Sequence, residues 1–132
     1  MITLYGFKRV RDFVVGETRD LRALWALEET DLAYEVHGLD FIRGDTQTDS
    51  YRQISPFNQV PVIDDDGFIL AETGAILNYI AEKAGKLIPT DLRSSARHSM
   101  VLHCAEQFRT YVAPNPDNRW GRRKGDGRST AA

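Results

Sequence analysis

Thiols are nearly missing from this 132-residue chain, which carries Cys104 and no other cysteine. A lone thiol excludes an internal disulfide, a C-x-x-C redox pair and a cysteine-based zinc site, because each needs a second sulfur. His37, His98 and His103 fall into no metal-ligand grouping, so no metal is expected. An excess of one charge is missing too. The 17 lysines and arginines face 19 aspartates and glutamates, and a net charge of −2 argues against a polyanion binder as a whole. No apolar run approaches the roughly 18 residues of a membrane span, and the N-terminus shows no apolar signal core. A cytoplasmic protein without a membrane partner is the expectation. Internal repeats are absent as well.

What is present suffices for one core: 42% of residues are hydrophobic and 10% aromatic, ordinary for a self-sufficient domain. The organising stretch is Ser55–Tyr79, S-P-F-N-Q-V-P-V-I-D-D-D-G-F-I-L-A-E-T-G-A-I-L-N-Y. Val60, Val62 and Ile63 form a β-branched run entered through Pro61, Asp64-Asp65-Asp66-Gly67 a turn, and Phe68-Ile69-Leu70 a second strand. Two hydrophobic runs joined by a D-G turn predict a hairpin. Pro61 cannot donate to a ladder, so it belongs at a strand start or edge, or marks a cis bond. Thr73 opens a helix with Ile76, Leu77, Ile80 and Ala84 on its apolar face, and Gly85 sits where a C-cap glycine belongs.

Upstream, Ile2–Tyr5 alternates as a first strand that Gly6 ends. Residues 7–17 make a long connection, either an ordinary surface loop or a flap over a cleft. Thr18 is a good N-cap for a helix with Leu21, Leu24, Trp25 and Leu27 on or beside one face. Leu32–Val36 reads as a strand, residues 38–50 as a polar loop, and Tyr51–Ile54 as a short helix stopped before Pro56. Helical periodicity returns from Leu92, with Val101, Cys104, Phe108 and Tyr111 on one face, and Cys104 reads as a small core residue. After Pro114 the periodicity vanishes, and the glycine-, proline- and arginine-rich tail over 114–132 reads as disordered. Its basic residues lack interleaved aromatics beyond Trp120, so nucleic acid is not an expected partner.

The order strand, helix, strand, short helix, hairpin, helix is the α/β, thioredoxin-like β-α-β-α-β-β-α arrangement, with a mixed four-stranded sheet. Q-V-P-V-I, the D-G turn and L-A-E-T-G-A-I-L-N-Y-I, with R-A-L-W-A-L-E-E-T-D-L-A-Y-E upstream, resemble the glutathione-binding half of the glutathione S-transferases. The resemblance covers residues 1 to about 112. It implies a glutathione-binding domain over 1–85, a linker over 86–91, and over 92–113 the first helix of a truncated all-helical domain. It also implies glutathione as co-substrate, a small electrophile as second substrate, a detoxifying role and a homodimer.

By the same resemblance, a cis Pro61 would turn the Val60 amide and carbonyl toward the cysteinyl unit of glutathione, a short strand addition. Gln59 would approach the glycyl end, and Glu72 would face the γ-glutamyl amine. Thr73 and the free amides of its helix would hold the γ-glutamyl carboxylate, plain N-capping being the alternative. The thiolate is the nucleophile, and a donor to sulfur stabilises it. One class of the family carries a serine four residues before R-A-V, and Thr18 stands at that spacing from Arg22. Thr18 is therefore the candidate catalytic hydroxyl or a mere cap. Tyr5 is the competing hydroxyl or a buried core tyrosine. The expected function is conjugation of glutathione to a small electrophile. The alternatives are a non-catalytic thioredoxin-like interaction module and an inactive truncated transferase. The change after Pro114 suggests truncation or a frame shift, with weak turnover and self-association through the uncovered last helix.

Overall fold

Alternation along β1 (Ile2–Arg9) sets the two faces of the sheet. Ile2 and Leu4 are buried in the main core, while Tyr5 and Phe7 pack into a second cluster on the opposite face. The computed structural model of the chain describes residues 1–112; the tail expected over 114–132, and the Phe108 and Tyr111 side chains, lie outside the described residues. β2 (Tyr34–Asp40) runs parallel to β1, from Ile2 beside Tyr34 to Arg9 beside Asp40. β3 (Val62–Asp65) lies antiparallel on the other side, and β4 (Phe68–Ala71) completes the order β2-β1-β3-β4. The sheet is mixed and four-stranded, as expected.

A parallel pair needs a crossover, and α1 (Asp20–Thr30) supplies it. It packs with α3 (Thr73–Ala84) over a core of Ile2, Leu4, Ala23, Ala26, Leu27, Ile63, Ile76 and Ile80. On the other face α2 (Asp49–Ile54) contributes Tyr51 to a smaller cluster with Leu39 and Val60. The hairpin turn places Asp66 at φ 52° and Gly67 at φ 94°, and Asp64 Oδ1 accepts from the Gly67 amide at 2.7 Å. Gly85 closes α3 at φ 64°.

Several boundaries differ from expectation, chiefly because partners distant in sequence decide them. β1 passes through Gly6 to Arg9, because the ladder with β2 continues there. β2 likewise takes residues 38–40 out of the expected loop. The connection that remains holds one helical turn, Asp12–Val14, and a bend at Gly16. α1 begins at Asp20; its N-cap is Arg19 and carries no side-chain cap bond, so Thr18 is not the cap. The buried stripe of α1 is Ala23, Ala26, Leu27 and Thr30, whereas Leu21 and Trp25 are 39% and 56% exposed. Small alanines let α1 lie close on its neighbours beside the buried Leu27, while Leu21 and Trp25 point away.

α4 (Leu92–Val112) follows the linker, tied to α1 by the Arg22–Glu106 ion pair. Its half-buried positions include Ser95, Ser99 and Leu102, while Met100 and Val101 are exposed. Cys104 is exposed as well, which corrects its reading as a core residue. Val101, on the same expected face, is exposed too.

A polar network fastens the hairpin end. Asp65, 7% exposed, accepts from Tyr79 Oη at 2.6 Å and pairs with Lys83. The Lys83 hydrogen bond, then that of Tyr79, holds the Asp65 carboxyl below its ordinary value. A depressed folded pKa stabilises the fold above the ordinary carboxylate range, and this contribution is lost as pH falls through the folded value. Asp65→Asn should therefore lose part of the acid limb of the pH–stability curve below about pH 4. Chemical denaturation across pH 2–6 reads this, and superposable acid limbs for both proteins would refute it.

Candidate functional site

The start of α1, the loop before β3 and the β4–α3 junction converge on one cleft. Gln59, Val60, Pro61, Glu72 and Thr73 all line it, so these five predicted residues share one cleft, while Thr18 and Tyr5 do not line it. Arg19, Ser55 and Phe57 join them.

Three hydrogen bonds tie the loop down at Gln59. Tyr51 Oη donates to the Gln59 carbonyl at 2.8 Å, and Ser55 Oγ donates to the same oxygen at 3.0 Å. Ser55 Oγ also accepts from the Gln59 amide at 3.1 Å. Burial pushes the Tyr51 phenol up to about 12, so it stays protonated and remains a donor at neutral pH. The Val60–Pro61 bond is cis. β3 pairing begins at Val62, which leaves the Val60 backbone outside the ladder.

At the opposite wall Glu72 is the N-cap of α3, at φ 73° and ψ 123°, with no side-chain cap bond. A non-glycine residue there costs roughly 1–3 kcal/mol, and such outliers gather at functional sites. Glu72 is exposed and lines the cleft. Thr73 is the first helical residue, 3% exposed. Capping does not account for it, since the cap position belongs to Glu72. The first amides of α3 make this end of the helix electropositive.

Thr18 lines a second, apolar depression walled by Phe7, Val10, Val14 and Phe41, with Arg11 and Glu17 also lining it. The connection after β1 thus supplies most of the wall of this depression. Thr18 lines the depression, and Arg19, the next residue in the chain, lines the cleft. Tyr5 lines neither; its ring lies 5.0 Å from His37 and 6.2 Å from Tyr51, and burial raises its phenol pKa. Sequence reading missed Arg19 by starting the helix at Thr18. The available signal was a cation at a helix N-terminus, where the dipole disfavours it. Among the described residues no group of three or more histidine, cysteine or acidic side chains could hold a metal. No described helix is long and apolar enough to cross a membrane.

A mixed sheet, a cis X–Pro bond before its third strand and a strained acidic cap on α3 define a thioredoxin-like α/β domain with its cleft at the N-terminus of α3. The model of the glutathione S-transferase N-terminal domain matches residues 13–82, over half of the chain. The chain belongs to the glutathione S-transferase family. Glutathione S-transferase hmp2 of Hypomyces subiculosus is 44% identical over 95 residues, 70% of this chain and 45% of that protein. A glutathione transferase family member from Pseudomonas fluorescens, solved with two glutathione bound, superposes with TM-score 0.70 at 28% identity, over 80% of this chain and 46% of that one. A glutathione transferase homologue from Sulfitobacter with bound glutathione gives TM-score 0.67 at 31% identity, over 94% of this chain and 58% of that one. The chain spans under half the length of the Hypomyces protein.

Proposed function

We propose that this chain binds glutathione in the cleft between Val60 and Thr73 and presents its thiolate to a small electrophile in the adjoining apolar depression. The observation that carries this reading is the convergence, in one cleft, of an unpaired strand backbone at Val60, an acidic cap at Glu72 and the free amides of α3. Those groups match the peptide backbone, the amine and a carboxylate of an extended tripeptide. Gln59 then meets the glycyl end. Thr18, which lines the apolar depression and precedes Arg19 of the cleft, donates to sulfur; Tyr5, which lines neither, is the weaker candidate. In the conjugation step the thiol proton leaves to solvent, the sulfur pair forms a bond to the electrophilic carbon, and a leaving group departs with its electrons. A cytoplasmic detoxifying role and a homodimer accompany this reading.

A non-catalytic interaction module is the second reading, favoured by the exposed Met100 and Val101 on α4. Thiolate absorbance of bound glutathione, titrated against pH, separates the two. A thiol titrating below its free value of about 8.5 supports thiol activation. Thr18→Ala should raise that value by roughly one unit, the equivalent of one ordinary hydrogen bond. An unmoved titration would remove Thr18 from the role. Failure to bind glutathione would leave the interaction module.

A further inference from the structure

Asp20 is buried at 6% exposure, yet it belongs to neither the core nor the cleft lining. Its Oδ2 accepts from the Phe7 amide at 2.8 Å, a bond across 13 residues that joins β1 to the first turn of α1. Its Oδ1 is also buried and accepts no hydrogen bond among the described residues. Burying a carboxylate with an empty acceptor is costly, so the position calls for a compensating role.

The backbone is arranged around this side chain. A Cβ at Gly6 would lie 2.7 Å from Asp20 Oδ2, so the carboxylate occupies the space that any other residue at position 6 would fill. Gly6 sits inside a strand, where glycine contributes no packing and weakens the ladder. Close approach of Asp20 is the reason for it. Both neighbours of the bond reach the site: Phe7 walls the apolar depression, and Arg19 and Thr18, immediately before Asp20, line the cleft and the depression. The Asp20 charge also contributes to the raised phenol of Tyr51, the residue that holds the Gln59 carbonyl in the cleft wall.

We infer that Asp20 is a positioning residue: its bond to the Phe7 amide pins the β1–α1 junction, and so sets Thr18 and Arg19 against the Val60–Thr73 wall. Resting on the glutathione-binding reading above, this explains why α1 begins at Asp20 with an arginine at its cap. The helix start is fixed by a tertiary bond to the strand. The local cap preference is overruled.

Asp20→Ala removes the acceptor, Asp20→Asn keeps one, and Gly6→Ala displaces the carboxylate while leaving it present. In Asp20→Ala, exchange of the Phe7 amide should accelerate by about tenfold or more relative to the Leu4 amide in the same strand. The glutathione dissociation constant should rise by about tenfold, and the pKa of the bound thiol should move. Asp20→Asn should restore all three. Gly6→Ala should reproduce the alanine phenotype, and it serves as the test where Asp20→Ala does not fold. Unchanged Phe7 exchange would overturn the pin. Faster exchange with unchanged affinity and thiol pKa would overturn the positioning role. Absence of glutathione binding in the unmodified chain would defeat the functional reading instead, while the exchange arm would still accept or reject the pin.

Discussion

Replacing Glu72 with alanine is expected to raise the dissociation constant for glutathione by about tenfold or more, since a charge-assisted bond contributes roughly 1.5–3 kcal/mol. Thr73→Ala should weaken binding as well, without unfolding the domain. The backbone at position 72 adds a sharper test. Its φ of 73° favours glycine, and alanine leaves that strain in place. Glu72→Gly should therefore bind as poorly as Glu72→Ala while melting at a higher temperature. A gain in stability joined to a loss of affinity is the mark of strain retained for a ligand. Calorimetric titration and thermal melts read both quantities. Unchanged affinity in both Glu72→Ala and Thr73→Ala would sink the site assignment.

The largest stability effect should come from Ile63→Ala. Ile63 is fully buried on β3, opposite Leu4 on β1 and Leu70 on β4. Truncating such a residue costs about 2–5 kcal/mol, a large part of the roughly 5–15 kcal/mol that holds a domain together. A melting point lower by at least about 8 °C follows for a domain of this size. Trp25→Ala is the contrast. Hydrophobic patterning would rank Trp25 among the core residues, but it is 56% exposed, and its loss should stay within about 0.5 kcal/mol. Urea denaturation of both variants decides the matter. Equal losses would mean that α1 presents a different face to the sheet.

The fold was legible where local chemistry and tertiary demand coincide. Asp66-Gly67 can adopt positive φ cheaply, Gly85 likewise, and Pro61 cannot sit inside a ladder, so the hairpin, the helix end and the strand start were all readable. Residues lining the cleft were legible through the family pattern around Val60–Pro61 and Glu72–Thr73. Legibility failed where a distant partner decides. Threonine is a good cap, but the Phe7–Asp20 bond sets the start of α1 one residue later. Gly6 looks like a strand terminator until Asp20 is seen against it. The polar residues of β2 carry no period-2 signal, yet the ladder continues through them. On α4, periodicity shows that Val101 and Cys104 share a face but not which way that face turns.

That orientation has a consequence for how the last helix is held. Ser95, Ser99, Leu102 and Glu106 are half-buried on α4 and Met100 and Val101 exposed, and its described contacts join Leu102 beside Gly74 of α3 to an ion pair with Arg22 on α1. Attraction between charges at a partly wet surface weakens as salt shortens its range. Burial of isoleucine and leucine in the core responds instead to temperature and to denaturants. Two properties of one solvent therefore act on two parts of one short chain. Ionic strength bears on the ion pair that helps to seat α4, and apolar hydration on the core that holds the sheet together.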